Sequence, residues 1–259
     1  MSAPVFLADD GTLAGVVVGD LYALGGAEGR HASVVQRRDV GERVDVVDGA
    51  GTRLRGVVAA VEPGEVRLRV ADVVVEPAPE VVLTLVQALA KGDRDHQAVE
   101  AAVEVGVDAV VPWQADRSVV VWRGPRAEKS RARWDALVRA AVKQSRRAWL
   151  PPVAEHLTTP RLAARTADVV AAGGAVVVLH EEATTPLAEV VLPAPAPAGS
   201  AAPELLVVVG PEGGISAAEL DALVAAGAVA ARLGPHVLRT SSAGPVAAAI
   251  LCDRLGRWR

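Results

Sequence analysis

Val207-Val208-Val209-Gly210-Pro211-Glu212-Gly213-Gly214-Ile215-Ser216 carries an apolar strand through a glycine-rich turn into a helix. Gly210 ends the strand and Pro211 stiffens the turn, while Gly213 and Gly214 permit positive φ and close approach of backbone to a ligand. Ser216-Ala217-Ala218-Glu219 then has the spacing of a capping box, which marks a helix start. A turn of this kind at the carboxyl end of a buried strand is where open α/β sheets bind ligands, although many such turns only reverse the chain. The stretch lacks the Gly-Lys-Ser/Thr ending of a P-loop and the GxGxxG of a dinucleotide fingerprint, which disfavours ATP and NAD.

Around this turn, apolar runs at residues 81–89, 108–112, 175–179, 204–209 and 229–233 alternate with helical stretches. Near-continuous apolar strands between helices predict a parallel sheet covered on both faces. Thr159-Pro160 and Thr185-Pro186 both read as an N-cap followed by proline at the first helical position. The beginning of the chain has a different texture, with short β segments at 16–18, 43–47, 53–61 and 65–75. Asp48-Gly49 and Pro63-Gly64 separate them as hairpin turns would. The reading is therefore a small β-barrel over residues 1–76, a stiff linker at Pro77-Ala78-Pro79, and an α/β domain over 80–259. The proline- and alanine-rich tract at 193–203 reads as a surface excursion between elements.

Half of the 259 residues are apolar, enough for real cores. The single cysteine, Cys252, can form neither an intramolecular disulfide nor a cysteine-only metal site, so a reducing cytoplasm is expected. The first residues lack a signal-peptide pattern, and the apolar runs are far short of the roughly 20 residues that span a bilayer. A net charge of −4 argues against a nucleic-acid partner, but the average conceals an asymmetry. Between Arg117 and Arg147 ten basic residues face only Glu128 and Asp135. The helix within this segment sets Leu137, Ala140, Ala141, Gln144 and Ala148 on one side and Arg139, Lys143, Arg146 and Arg147 on the other. No acidic i,i+4 partners intersperse that basic stripe, which favours a phosphate backbone over an ordinary solvated face.

A third stretch, Leu233-Gly234-Pro235-His236-Val237-Leu238-Arg239-Thr240-Ser241-Ser242-Ala243-Gly244, leads as a polar loop into an apolar final helix. Backbone amides and hydroxyls there can grip a small polar ligand while Leu238 lies against its flat part, and a plain loop with a helix cap would read the same way. Residues 244–252 are apolar or small nearly all round, so something must cover the final helix: a second subunit, or its own domain.

Taken together and in this order, these segments resemble the SPOUT class of methyltransferases, and within it the ribosomal RNA small subunit methyltransferase E family. The resemblance extends to His31-Ala32-Ser33-Val34-Val35-Gln36-Arg37-Arg38, Gln87-Ala88-Leu89-Ala90-Lys91-Gly92, Glu104-Val105-Gly106-Val107, Arg117-Ser118 and Ala141-Val142-Lys143-Gln144-Ser145-Arg146-Arg147. It implies a PUA-like N-terminal barrel, and a C-terminal α/β domain with a parallel sheet and a trefoil knot. It also implies a homodimer that methylates N3 of a uridine in the decoding region of 16S ribosomal RNA from S-adenosylmethionine, without a metal. By that resemblance Leu179, Gly210, Glu212, Gly213, Leu233, Gly234, Val237 and Leu238 line the cofactor pocket, and Arg239 and Thr240 lie where cofactor and target base meet. His31, Arg37, Arg38, Arg117, Arg139, Lys143, Arg146 and Arg147 are the expected RNA contacts, on the ribosomal RNA or the small ribosomal subunit.

Two departures bear on function. Family members commonly carry Thr-Glu-Thr-Ala where this chain has Thr240-Ser241-Ser242-Ala243, so an acidic residue is missing. The first strand also lacks the arginine often found near the family's N-terminus. Two alternatives follow: a ribosome-associated RNA-binding protein without activity, or a methyltransferase of the same class acting on another RNA.

Overall fold

The computed structural model describes residues 3–9, 11–197 and 199–258. Two compact units divide the chain, Met1–Ala78 with Arg139–Leu150, and Pro79–Val138 with Pro151–Arg259.

In the first unit, strands β1 (Val5–Leu7), β2 (Leu21–Leu24), β3 (Arg43–Val47), β4 (Thr52–Glu62) and β5 (Glu65–Val75) form one curled sheet in the order β1-β3-β4-β5-β2. β1 runs parallel to β3 and the remaining pairs are antiparallel. In β5, Val66, Leu68 and Val70 point inward while Arg67, Arg69 and Ala71 face solvent, the alternation that lets a strand cover a core on one side. These residues meet Phe6, Leu24, Val44, Val46, Leu54 and Val58 in a single apolar cluster. The two expected turns are present: Asp48 Oδ1 accepts from the amides of Ala50 and Thr52, and Gly64 closes the β4–β5 hairpin at φ 90°. A short helix α1 (Gly26–Arg30) continues into a wider π-type turn at His31–Val35. Gly29 allows this packing, because a Cβ there would lie 2.3 Å from the Leu24 carbonyl oxygen.

The strand expected at 16–18 is a turn region instead. Gly15 and Gly19 hold positive φ on either side, and the Asp20 carboxylate takes the Val17 amide, so the edge strand begins only at Leu21. Arg53 is the charged residue inside this unit. Its guanidinium donates to Glu76 Oε1 at 2.7 and 2.9 Å, to Asp45 Oδ2 at 3.3 Å and to the Arg146 carbonyl at 2.7 Å.

In the second unit, β6 (Val82–Ala88), β7 (Ala109–Gln114), β8 (Leu157–Thr158), β9 (Ala175–Leu179), β10 (Glu204–Val209) and β11 (Val229–Ala231) form an all-parallel sheet in the order β11-β9-β10-β6-β7-β8. The chain moves outward from β6 through β7 to β8, returns on the other side at β9, then inserts β10 between β9 and β6. Helices α4 (Thr159–Ala171) and α5 (Ala217–Ala225) cover one face, where Leu162 and Leu223 join Val86, Val111, Val178 and Val208. Helices α2 (Arg94–Val105) and α6 (Thr240–Arg254) pack together against β6 on the other, where Leu85 closes on Gly244. Cover on both faces is why these strands read as continuous apolar runs.

Several boundaries differ from the sequence reading. β7 begins at Ala109 because the Asp108 carboxylate turns back to accept from the Leu83 amide, and β11 is three residues long. The two-residue β8 is too short to leave a periodic signal. Thr158 rather than Thr159 occupies the N-cap of α4, and Pro186 precedes only a single 3-10 turn at Leu187–Glu189. Helix α3 (Pro125–Ser145) stops before Arg146, whose φ of 60° ends it, so Arg146, Arg147 and Ala148 lie beyond the helix. Its buried residues are Trp134, Val138, Ala141 and Val142, whereas Ala140 and Gln144 are exposed.

Arg53→Met removes the only cation shared by Asp45 and Glu76 in this network while keeping most of its volume. It is expected to destabilise the first unit by about 2 kcal/mol or more, because partly buried carboxylates lose their partner. Urea unfolding followed by circular dichroism measures this, and an unchanged midpoint would show that water satisfies the carboxylates.

Candidate active site

A cavity of about 800 Å³ opens at the carboxyl ends of β9 and β10. Leu179 ends β9 and Val209 ends β10, and both line it together with Gly210, Glu212 and Gly213 of the turn and Val237, Leu238, Arg239 and Thr240 of the loop into α6. A smaller space of about 150 Å³ is bounded by Leu233 and Gly234 and shares Leu179, Val237 and Leu238 with the first. All ten residues that the sequence assigned to cofactor or catalysis thus border one continuous region.

The turn is built by packing against itself. A Cβ on Gly210 would sit 2.7 Å from Ile215 Cγ1, and one on Gly213 would meet Arg117 Cβ at 3.0 Å. The positive φ expected at Gly213 belongs to Gly214 alone, at 72°. Behind the turn, Ser216 accepts from the Glu219 amide while Glu219 Oε2 accepts from the Ser216 amide, completing the capping box. Glu219 is buried, and its Oε1 also accepts from the Asp116 amide and the Thr159 hydroxyl, both at 2.8 Å. The helix cap therefore also ties the chain after β7 and the start of α4 to the turn.

Thr240 is buried, and its hydroxyl is already engaged. It donates to the Gly210 carbonyl at 2.7 Å and accepts from Gln87 Nε2 at 2.9 Å. Gln87, at the end of β6, has no exposed surface and also donates to the Ala88 carbonyl. Three segments distant in sequence are joined at this hydroxyl. By contrast the loop before it is open, with Val237 77% and Leu238 39% exposed. Apolar side chains held in water beside a polar cavity suit a ligand with a flat apolar part.

Glu212 Oε1 accepts from the Lys91 amide at 2.9 Å and from Arg94 at 3.1 Å. Burial pushes this carboxyl up, but its own amide, the Lys91 amide and the Arg94 guanidinium outweigh burial and hold it below the ordinary glutamate value. Arg117, expected to contact RNA, also lines the cavity and donates to the Gly213 carbonyl at 2.9 Å.

The other expected RNA contacts, His31, Arg37, Arg38, Arg139, Lys143, Arg146 and Arg147, all belong to the first unit. Arg139 and Arg146 are exposed, and Arg37 and Arg146 both hold left-handed backbone, at φ 51° and 60°. His31 meets Phe6 edge-on and contacts Gln36, and Arg38 pairs with Glu42. Lys143 is not the uncompensated cation that the stripe suggested, since Glu28 of α1 pairs with it at 2.8 Å. Sequence reasoning also gave no role to Gln87, Arg94, Glu181, Glu182 or Glu219. A glutamine closing the apolar run of β6 was a usable signal for the first; the others are ordinary surface residues until the fold gathers them.

The RNA methyltransferase domain family matches residues 77–252. Ribosomal RNA small subunit methyltransferase E of Mycobacterium tuberculosis is 47% identical over 240 residues, which cover 93% of this chain and 89% of that protein. The Bacillus subtilis protein of the same name is 29% identical over 226 residues, 86% of each chain. The chain belongs to the ribosomal RNA small subunit methyltransferase E family. A solved Neisseria gonorrhoeae structure with that name, bound to S-adenosyl methionine, is 25% identical with a TM-score of 0.80 and covers 98% of both chains. Among the described residues of this family member, no group of three His, Cys, Asp or Glu is placed to hold a metal ion, and no helix is long and apolar enough to cross a membrane.

Thr240→Val strands the Gly210 carbonyl and a Gln87 amide proton at a buried position, so it is expected to cost about 2 kcal/mol. Thr240→Ser, which retains the hydroxyl, should remain close to wild type. Denaturant titration of both variants tests the link, and equal stabilities would break it.

The Glu212 contact has a defined pH dependence. Its carboxyl is depressed in the folded protein, so its stabilisation is present above the ordinary glutamate range and is lost as pH falls through the lower folded value. Glu212→Gln should therefore flatten part of the acid limb of a Tm-against-pH curve, and an identical limb would exclude this contact as its source.

Proposed function

We propose that this chain methylates N3 of a specific uridine in the decoding region of 16S ribosomal RNA, using S-adenosylmethionine. The observation that carries this reading is the convergence of Leu179, the Gly210–Gly214 turn and the Leu233–Thr240 loop on one cavity at the carboxyl ends of a parallel sheet. The residues fit the cofactor: the volume lies within the range of small-molecule sites, the turn offers backbone groups, and exposed Val237 and Leu238 suit an adenine ring. Membership of the family and the cofactor held by the Neisseria gonorrhoeae protein support the same reading.

The bound cofactor supplies an already activated methyl group on a sulfonium, so the protein's work is alignment and proton removal. Leu179, Leu233, Gly234, Val237 and Leu238 enclose and read the adenosyl part, while Gly210 and Gly213 bring backbone close. Arg239 lies at the mouth beside the target base. Thr240 acts through the Gly210 carbonyl by keeping the turn and α6 in register. Glu212 holds Arg94 and the Lys91 amide at the rim. Ser241 supplies no carboxylate, which motivates the second reading, an RNA-binding member without activity.

The first unit serves as the PUA-like RNA-binding domain in this proposal, with His31, Arg37, Arg38, Arg139, Arg146 and Arg147 on phosphates and Arg117 carrying the contact into the cavity. The residue 1–76 and 80–259 domain division, a trefoil knot in the chain around the cavity, a homodimer and action in the cytoplasm belong to the same proposal. Ala247, Ala248, Leu251 and Cys252 of α6 are already covered within the chain, so a partner helix would meet the more open Val246 and Ile250 instead.

Mass spectrometry of 16S ribosomal RNA from a strain lacking the gene should show one N3-methyluridine missing, restored by the wild-type gene. An unchanged RNA would reject the assignment. Cofactor binding by the purified protein without methyl transfer to small subunits would select the inactive reading.

A further inference from the structure

The loop after β9 brings two carboxylates to the cavity that nothing above has used. His180 is held by a hydrogen bond from its amide to the Ala231 carbonyl, and its Nδ1 accepts from the Glu182 amide at 3.3 Å. This tight turn presents Glu181 and Glu182 along the cavity wall. Both are exposed, and among the described residues neither has an ion-pair partner. The third acidic residue in the lining, Glu212, is occupied by Arg94 and the Lys91 amide. The lining arginines, Arg94, Arg117 and Arg239, come from other segments, and Arg117 is tied to the Gly213 carbonyl. The cavity therefore has two uncompensated negative charges on the β9 loop, beside the shared wall of Leu179, Val237 and Leu238.

We propose that Glu181 and Glu182 read the charge of the cofactor, favouring the cationic sulfonium before transfer over the neutral thioether after it. This rests on S-adenosylmethionine being the methyl donor. In the reaction the bond from sulfur to methyl breaks and the bond from N3 to methyl forms. The N3 proton leaves to solvent, and the sulfur keeps the bonding pair and becomes neutral. The attraction of the two carboxylates for that centre is lost in the same step, so transfer itself loosens the cavity's hold on the product. A unit charge a few ångströms from a carboxylate at a protein surface is worth roughly a factor of five even at the dielectric of water, and more where solvent is partly excluded.

Isothermal titration of the full chain with S-adenosylmethionine and with S-adenosylhomocysteine tests this without turnover. For Glu181→Gln with Glu182→Gln, affinity for the sulfonium form should fall about tenfold or more, while affinity for the thioether stays within about twofold. The selectivity change should shrink as salt is raised. Equal losses for both ligands would mean that the glutamates only shape the loop. Unchanged binding of both, with a slower transfer step and an altered pH profile, would assign them to the N3 proton instead. Either result overturns the proposal. Failure of the wild-type protein to bind either compound would instead remove the donor assignment on which it rests.

Discussion

The arrangement of the cavity depends on a single hydroxyl. Thr240 accepts from Gln87 at the end of β6 and donates to Gly210 at the end of β10, while its backbone begins α6. β6 and β10 are neighbours in the sheet, so their ends are already close; what the hydroxyl adds is the position of the third segment, the loop from Leu233. Buried polar groups of this kind are cheap when satisfied and expensive when not, which favours one loop arrangement over its competitors. The exposed side chains of Val237 and Leu238 can remain in water because the residue that follows them is fixed.

A second anchor works from the opposite side of the turn. Glu219 takes part in an ordinary helix cap, yet its second oxygen reaches Asp116 and Thr159. The strand–turn–helix unit is thereby tied to the chain following β7 and to α4, and Arg117 is brought to Gly213. Charge at the cavity is consequently sorted by segment. Arginines arrive from α2, from the chain after β7 and from the final loop; unpaired carboxylates arrive from the loop after β9. A cofactor that loses its positive charge during the reaction meets a wall whose attraction depends on that charge.

Much of this was legible before any coordinates. The glycine-rich turn, the capping box at Ser216 and the apolar runs of β6, β9 and β10 are local patterns, and each is set by neighbours in sequence. The less legible elements depended on distant partners. The edge strand at Leu21–Leu24 has two exposed residues and no alternation, and is a strand because β5 pairs with it. β8 is two residues long and exists through its pairing with β7. The basic stripe was correctly composed but incorrectly laid out, since Arg146 takes a left-handed conformation and ends the helix before half of the stripe is reached.

The sequence by itself determined the class of the α/β sheet, the turn that binds, the family and the residues around the cavity, because these rest on local periodicity, glycine placement and motif order. Only the tertiary structure decided what those residues do to one another. That Thr240 is committed to Gly210, that Lys143 is neutralised by Glu28 from 115 residues away, and that Glu181 and Glu182 are left without partners are all facts about through-space distance. Electrostatics and hydrogen bonding act between atoms a few ångströms apart, and chain order does not record that separation.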